Sequence, residues 1–317
     1  MALVGAALLT VSAVTACGGD GGSADGNTTI RIAHNSNAGV LSARVAEAQG
    51  YFEDHGLTVK FTKVENVETL PPALGKSFDI VLSTPTLLLS SSARGLDVVE
   101  AAGTSVEVKD NPTAAVIGSG KTGVKSAKDL GGKTVGVLNE TGTLHLATQY
   151  WLEKNGVSPD SVKVAQVNPP AGKDQLKAGR VDAVETVTPF IDSILADKDS
   201  VLLTHPHLEM APEIGLILWA TSGSWADQNP KALAGFRKAL ADAVKWIEDS
   251  SNEDEAREVL GDYTGLPADV VGSLKLPKYA AEPRPQDHKV WLKAMRDYAD
   301  FKGKVDLDKL VAGDSDG

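Results

Sequence analysis

Three short polar segments of the sequence carry side chains suited to binding a small molecule. Residues 139–143 offer an amide, two hydroxyls and Gly142, where the backbone can approach a ligand closely. Residues 83–85 and 34–36 add further hydroxyl, amide and imidazole groups. Each segment follows a strand-like run and precedes a helix-like one, so the N–H groups of a helix N-terminus can also face the ligand. Such groups bind a polar molecule through hydrogen bonds and need no catalysis.

A fourth candidate region is the strand at residues 181–187 with the turn after it, because it carries Glu185 and Thr188. A carboxylate facing the ligand would repel an anion and favour an amine or a ring N–H, and Glu140 raises the same question. None of these segments contains an Arg, the usual bidentate partner of a carboxylate, which argues against a carboxylate ligand. The candidate ligand-binding residues are His34, Asn35, Ser36, Ser83, Thr84, Asn139, Thr141, Gly142, Thr143, Glu185 and Thr188.

Each candidate also has a purely structural interpretation. Thr141 or Thr143 would serve only as a cap, because Thr side chains accept hydrogen bonds from the first N–H groups of a helix. Residues 83–85 fit a helix N-cap followed by proline at the first helical position. His34 would be a solvated loop histidine, and Glu185 would lie on a surface away from the ligand. The residue types alone leave both interpretations open.

The hydrophobic pattern predicts the strands and helices that position these segments. Strands are predicted at residues 29–33, 57–61, 78–82, 98–102, 134–138, 162–167, 181–187 and 215–220. Helices are predicted at residues 40–51, from near 86, at 143–154 and 174–178, after Pro189, and at 230–248, 253–260, 267–274 and 286–301. Alternating strands and helices indicate βαβ units around parallel sheets. The chain is therefore expected to form two α/β halves followed by a helical tail.

Cys17 is the only cysteine of the chain, and the residues around it predict export. Residues 2–16 are uncharged and mostly apolar or small, and a Gly-rich segment follows Cys17. The apolar run is shorter than the roughly 20 residues of a transmembrane helix. The segment resembles a bacterial lipoprotein signal, so we expect residues 1–16 to be removed, Cys17 to be acylated and residues 17–28 to form a flexible tether.

The signal has one unusual feature, which is that no Lys or Arg precedes Cys17. Signal peptides usually begin with a basic region. Either the true translation start lies upstream, or the signal is atypical. A plain secretory signal is the alternative interpretation of the same residues.

Composition and charge argue against several other functions. The formal net charge of −11 argues against nucleic acid as a partner, because binding to phosphates requires clustered Lys and Arg. With Cys17 acylated, the folded part has no thiol for a disulfide, a metal site or a nucleophile. A hydrophobic content of 42% and a charged content of 23% are ordinary for a globular protein. No cofactor is expected.

Three further features are interpreted as structural. Residues 120–122 resemble the end of a phosphate-binding P-loop, but Ala115 stands where that motif requires glycine. Residues 205–209 contain two histidines and a glutamate that are potential metal ligands, yet the proline between the histidines favours a structural loop. Trp219 is expected in the core rather than against a ligand.

Several motifs, in order along the chain, resemble those of a known family. Residues 48–59, AQGYFEDHGLTV, are similar to its G-h-F-x-x-x-G-L-x-V signature, and residues 129–137, DLGGKTVGV, to its D-L-K-G-K-x-V-x-V segment. IRIA at residues 30–33, FDIVLSTP at 78–85 and GRVDAV at 179–184 with Pro189 complete the set. The set resembles the periplasmic substrate-binding proteins of ABC importers of the nitrate, sulfonate and taurine type. That group also includes binders of thiamine-pyrimidine precursors.

The resemblance implies the α/β class and the two-lobe type II periplasmic binding protein fold. Each lobe would be a mostly parallel sheet flanked by helices, with a helical C-terminal tail. Lobe 1 would comprise residues 28–108 plus 206–317 and lobe 2 residues 109–205, joined by hinge crossings, with the ligand in the cleft between them. The family's loop that corresponds to residues 139–143 contacts the ligand. The family is apolar near Glu185, so a carboxylate there is a departure.

The leading hypothesis is an exported solute receptor, lipid-anchored to the outer face of the cell membrane. It would capture a small polar ligand (a sulfonate or taurine, a nitrate-like anion or a pyrimidine-type heteroaromatic) and deliver it to the membrane subunits of an ABC permease. It would act as a monomer, without catalysis, cofactor or nucleic acid.

Two other hypotheses remain. One is an enzyme like the pyrimidine-precursor synthase of the same fold family, which consumes its own histidine. His34 and His145 are then the histidines expected near the cleft. The other is a sensor or adhesion lipoprotein that uses the fold only as a scaffold.

Overall fold

The computed structural model describes residues 27–313 of the 317-residue chain. The predicted signal peptide at residues 1–16 and the predicted lipidation of Cys17 lie outside the described residues, as does all but the end of the predicted tether at 17–28. Among the helices of the described part, none combines the length and the apolar character needed to cross a membrane.

Strands and helices alternate through most of the described part, which contains thirteen strands and twelve α-helices. The strands are β1 Thr28–His34, β2 Leu57–Lys63, β3 Ile80–Ser83, β4 Val99–Gly103, β5 Ser105–Val108, β6 Ala114–Ser119, β7 Thr134–Val137, β8 Lys163–Gln166, β9 Ala183–Val187, β10 Ser200–Thr204, β11 Glu213–Gly215, β12 Leu218–Thr221 and β13 Lys278–Tyr279. The helices are α1 Leu41–Ala48, α2 Tyr51–Asp54, α3 Pro85–Ala93, α4 Thr143–Lys154, α5 Gly172–Lys177, α6 Phe190–Leu195, α7 Pro206–Met210, α8 Gly223–Gln228, α9 Pro230–Glu248, α10 Glu253–Thr264, α11 Ala268–Ser273 and α12 Pro285–Tyr298.

The strands form two large mixed sheets and one small sheet. The first sheet has the order β2-β1-β3-β12-β4, in which β1 is parallel to both of its neighbours and β12 is antiparallel to both of its own. The second sheet has the order β10-β6-β9-β7-β8, in which β7 is parallel to both neighbours and β6 is antiparallel to both. Helices pack on both sheets, so the predicted α/β fold class is confirmed.

The small sheet connects the two large ones. Its strand β5 lies between β4 of the first sheet and β6 of the second, and its strand β11 returns the chain from β10 to β12. These two strands pair in antiparallel register, with Ile214 opposite Glu107, and β13 pairs with the other edge of β5. The chain thus crosses twice between the large sheets, at neighbouring strands. Lobe boundaries at residues 108 and 205 remain a prediction.

The core of the first sheet is built on α9, whose predicted range of 230–248 matches the structure. Its apolar face buries Leu233, Phe236 and Leu240. The ring of Phe236 stacks on Phe52 at 5.9 Å and meets Trp219 edge-on at 6.0 Å. Trp219 is fully buried in this cluster, which confirms that it belongs to the core.

Two predicted elements are each divided into two. The helix predicted at residues 40–51 becomes α1 and α2, because Gly50 between them adopts a left-handed conformation with φ of +76°. The strand predicted at residues 215–220 becomes β11 and β12. At the break, the N–H of Gly215 donates to the Asp287 side chain of α12.

Candidate functional site

A cavity of about 570 Å³ lies where loops of both large sheets meet the small sheet. Residues that follow β1, β3, β7 and β9 line it, together with residues of β5 and segments near α10 and α11. In α/β sheets, ligands bind beyond the carboxyl ends of the strands, which is where these loops lie. Six of the predicted ligand-binding residues line this cavity, namely Ser36, Thr84, Asn139, Gly142, Thr143 and Thr188.

The other predicted residues, which are His34, Asn35, Ser83, Thr141 and Glu185, do not line the cavity. The His34 side chain is buried, with its ring edge-on to Phe61 at 5.4 Å and to Tyr263 at 6.2 Å. Its Nδ1–H donates to the Asn35 carbonyl at 2.8 Å, and burial lowers the pKa of this imidazole. His34 is therefore packed in the protein, and its alternative interpretation as a solvated loop residue is wrong.

The Glu185 side chain is fully buried, and its Oε1 accepts a hydrogen bond of 2.8 Å from Nδ1 of His145 on α4. Neither side chain lines the cavity, so Oε1 of this carboxylate is engaged within the protein, while Oε2 has no hydrogen-bond partner among the described residues. The Thr141 hydroxyl donates to the Asn139 side chain, and the Ser83 hydroxyl donates to a neighbouring backbone carbonyl.

The N-terminus of α4 faces the cavity and has no side-chain cap. Gly142 is the N-cap residue, and Gly142, Thr143 and Leu144 all line the cavity. The first backbone N–H groups of the helix therefore lack intrahelical acceptors, and the helix dipole adds a partial positive charge there. The interpretation of Thr141 or Thr143 as a mere cap of this helix is wrong, because neither side chain makes a capping bond.

Two other loops at the cavity are fixed by capping hydrogen bonds. Thr84 caps α3, where its Oγ1 accepts from the N–H of Leu87 at 3.2 Å, so the structural interpretation of residues 83–85 is confirmed even though Thr84 also lines the cavity. In the loop after β1, the Asn37 side chain accepts from the N–H of Gly39 at 2.7 Å. A Cβ on Gly39 would lie 3.2 Å from Oγ of Ser105, which shows how closely this loop packs against β5.

The cavity lining contains no formal charge at neutral pH. Among the described residues that line it, none is Lys, Arg, Asp or Glu. Its histidine is His207 of α7, which is 2% exposed and has no hydrogen-bond partner at either ring nitrogen among the described residues. Burial lowers the pKa of this imidazole to about 3. The cavity therefore offers neutral hydroxyl, amide and backbone N–H groups to a ligand.

Sequence reasoning missed His207, which it assigned to a structural loop at residues 205–209. That segment is α7, and Nδ1 of His205 bonds to the Ala114 carbonyl at 2.7 Å. Within residues 27–313, no group of three or more acidic, His or Cys side chains is arranged to hold a metal ion. What brings His207 to the cavity is the packing of α7 against α4 and β6, a long-range contact that no local motif encodes.

Comparisons with known proteins agree with this geometry. Residues 23–261 match the model of the NMT1-like family. The chain is 28% identical over 157 residues to the nitrate/nitrite binding protein NrtA of Synechococcus elongatus, in a match that covers 49% of this chain and 33% of NrtA. It therefore spans only about a third of that relative's length. The taurine-binding periplasmic protein of Escherichia coli is 25% identical over 301 residues, which is 87% of each chain.

A solved structure shows the same fold. The periplasmic aliphatic sulphonate binding protein SsuA of Escherichia coli superposes with a TM-score of 0.75 at 16% sequence identity. The superposition covers 90% of this chain and 97% of that one. The two-lobe periplasmic binding protein fold is thereby confirmed.

Proposed function

The chain belongs to the NMT1-like family, and we propose on this premise that it is the solute-binding component of an ABC importer. The observation that carries the proposal is the cavity of about 570 Å³ at which loops of both large sheets meet. Its wall contains hydroxyls, amides and an uncapped helix N-terminus, which together suit a small polar ligand. The protein would capture that ligand between its lobes and deliver it to a permease.

The chemistry of the cavity favours a ligand with an anionic oxygen group. The uncapped N-terminus of α4 and the Thr143 hydroxyl supply donors, and Glu185, which bonds to His145, does not repel an anion from the wall. Taurine would leave its ammonium without a carboxylate partner, which is unfavourable for a buried charge. We therefore favour a sulfonate-like or nitrate-like oxoanion over taurine, and a pyrimidine-type heteroaromatic is the second candidate because the cavity lining carries no charged side chain.

The two crossing strands β5 and β11 would act as the hinge that opens and closes the cleft during ligand release and capture. A ligand that touches loops of both sheets stabilises the closed arrangement relative to the open one, and hinge closure follows from that difference in affinity. The closed form would then dock on the permease, with one ligand bound to each monomer.

We further propose that the protein is exported, lipid-anchored through Cys17 and not an enzyme. The sequence around Cys17 and the periplasmic relatives support the location. The enzyme hypothesis depended on His34 or His145 at the cleft, yet His34 packs against Phe61 and His145 bonds to Glu185. Neither histidine lines the cavity, so no observation favours that hypothesis.

Calorimetric titration of the purified chain tests the proposed function. The ligands are methanesulfonate, nitrate, taurine and an aminopyrimidine, each followed also by tryptophan fluorescence and by small-angle scattering. We expect one oxoanion bound per monomer, a fluorescence change and a smaller radius of gyration in the bound form. If none of the four bound, the assignment as a solute receptor for this class would be overturned.

A further inference from the structure

Glu107 is a buried carboxylate that the proposed function does not use. It lies on the crossing strand β5, is fully buried and does not line the cavity. Its Oε1 accepts hydrogen bonds from the backbone N–H groups of Thr113, at 2.9 Å, and Ala114, at 3.2 Å. Its Oε2 accepts a third bond from the Thr113 hydroxyl. Glu107 therefore holds Thr113 by both its main chain and its side chain.

The three bonds show in which form this carboxyl group acts. An ionised carboxylate only accepts hydrogen bonds, and each of these three groups that reach the Glu107 oxygens is a donor. Burial raises the pKa of the carboxyl, and the bonds from Thr113 and Ala114 oppose that shift. Towards the Thr113 hydroxyl, Glu107 is thus an acceptor.

The Thr113 hydroxyl is left to act as an acceptor itself. A hydroxyl has a single proton, which Thr113 gives to Glu107, so the free lone pairs of its Oγ1 can only accept. Thr113 is partly buried and lines the cavity, and its carbonyl accepts a bond of 2.9 Å from the N–H of Thr188 in the same wall. Any hydrogen bond between this hydroxyl and a ligand must therefore be donated by the ligand.

Thr113 and the open end of α4 lie at different places in the cavity wall. Thr113 immediately precedes β6, whereas α4 follows β7, and β9 lies between these two strands in the sheet. Neighbouring strands are about 4.8 Å apart, so the ends of β6 and β7 are separated by roughly 10 Å. The wall is therefore polarised, with helix N–H donors on one side and an acceptor bonded to a buried carboxylate on the other.

We infer that Thr113 is a specificity-determining residue, which accepts a hydrogen bond from a neutral O–H or N–H group of the ligand, and that Glu107 positions it for this role. The inference rests on the proposed function, because it takes the open end of α4 as the site of the anionic group. It adds that the ligand carries a donor away from that group, whatever the anionic group is. The donor is neutral because no charged side chain lines the cavity.

The experiment compares two anions that differ only in the presence of a donor. The probes are 2-hydroxyethane-1-sulfonate and 2-fluoroethane-1-sulfonate, which have the same charge and nearly the same size, and only the first can donate a hydrogen bond. Both are titrated calorimetrically into the purified chain. One net hydrogen bond changes affinity by roughly threefold to tenfold, so the wild type should bind the hydroxyl probe at least about threefold more tightly than the fluoro probe.

Three variants test the roles of the hydroxyl and the carboxylate. Thr113→Val removes the acceptor and should abolish the preference for the hydroxyl probe. Glu107→Gln keeps an acceptor for the two backbone N–H groups but would place an NH₂ group against Oγ1 of Thr113, so the hydroxyl would turn its own proton to the ligand. The ratio of the two affinities should then fall at least about threefold. Thr113→Ser is the matched control, since it retains the hydroxyl and should keep the preference.

The affinity ratio separates a direct role from a structural one. A variant that merely loosens the fold would weaken both probes equally, so an unchanged ratio in Thr113→Val or Glu107→Gln would overturn the inference. Equal binding of the two probes to the wild type would overturn it as well. Each of these results leaves the solute receptor intact, because the probes still bind, whereas both proposals would fall if the wild type bound neither probe. The two Thr113 variants decide the matter if Glu107→Gln fails to fold, which its thermal melting shows.

Discussion

The backbone N–H of Gly215 donates a hydrogen bond of 2.6 Å to Oδ2 of Asp287, so α12 holds the crossing strand β11 by its main chain. The Gly215 carbonyl accepts a second bond, of 3.0 Å, from Nε1 of Trp291 on the same helix. Arg284 links the Asp287 carboxylate to Glu213, with bonds of 2.6 and 2.7 Å. The position of this crossing therefore depends on α12.

Replacement of Asp287 by Ala should reduce the free energy of unfolding by about 3 kcal/mol, because it leaves the buried Gly215 N–H without its acceptor and leaves Arg284 with Glu213 as its remaining carboxylate partner. Urea denaturation followed by tryptophan fluorescence measures the change. Asp297→Ala on the same helix is the control, since Asp297 pairs with the exposed Lys293 and should change stability by less than about 1 kcal/mol. Equal losses in the two variants would contradict the role of Asp287.

Replacement of Gly142 by Asp should stabilise the fold and weaken anion binding together. An Asp at this N-cap position would accept hydrogen bonds from the open end of α4, which stabilises a helix by roughly a few tenths of a kcal/mol relative to glycine. The same carboxylate would occupy the donors and repel the ligand, so the Kd for the bound sulfonate should rise at least about tenfold. Thermal melting and calorimetry give the two values.

Gly142→Ala is the matched control for that variant. It adds the same Cβ, which lies 3.3 Å from the Asn139 backbone and Cβ, but no charge. A weakening of binding as large in the Ala variant as in the Asp variant would assign the effect to crowding instead of to the helix end.

Glu185 should matter for stability and not for the ligand, because its carboxylate bonds to His145 outside the cavity lining. Glu185→Gln is expected to lower the free energy of unfolding by about 1 kcal/mol, since it weakens the buried hydrogen bond between this side chain and His145. Its Kd should stay within about twofold of the wild type, whereas Thr143→Val, which removes a hydroxyl from the cavity wall, should raise the Kd about tenfold through the lost hydrogen bond. A large increase in Kd for Glu185→Gln would contradict this prediction and show that the Glu185 carboxylate contributes to ligand binding.

His207 should make the protein less stable in acid. Its pKa in the folded state is about 3 against an ordinary 6.5, so the unfolded state binds the proton more readily. The stability that the neutral imidazole contributes is therefore fully present above pH 6.5. As the pH falls from 6.5 towards 3, the free energy of unfolding decreases by at most about 1.4 kcal/mol per pH unit through this group.

The variant His207→Phe keeps a buried ring without a titrating group. Its unfolding free energy, measured at pH 7 and pH 4.5, should fall less between the two pH values than that of the wild type. The carboxylates common to both proteins contribute equally, so the difference isolates His207. An identical fall in both proteins would show that this imidazole is not buried as a neutral base.

Much of the architecture could be predicted because its signals are local. The amphipathic pattern of α9 and the glycine after α4, Gly156 with φ of +77°, mark those elements in the sequence itself. The strands β5 and β6 were missed for different reasons: β6 is wholly buried and its residues do not alternate between apolar and polar, whereas β5 alternates over only four residues and buries the polar ones with the apolar ones. Their identity depends on the strands beside them.

The candidate site was likewise predicted in part, through its local signals. Strand ends followed by helices predict polar loops at one edge of a sheet, and Ser36, Thr84 and Thr143 do line the cavity. The direction of the Glu185 side chain could not be predicted, because β9 is buried on both faces and the sequence pattern does not show which face is turned towards the cavity. That choice is set by the packing of α4, which presents His145 to the carboxylate.

The two crossings also set an order of assembly during synthesis. All five strands of the second sheet lie within residues 114–204, whereas the first sheet needs β12 at residues 218–221 to join β3 to β4. A stretch that is complete on emerging from the ribosome can fold as a unit. The second sheet can therefore form before the first one is complete, although the first sheet contains the N-terminal strands. Until β12 has been synthesised, the edges of β3 and β4 that pair with it in the native sheet have no partner.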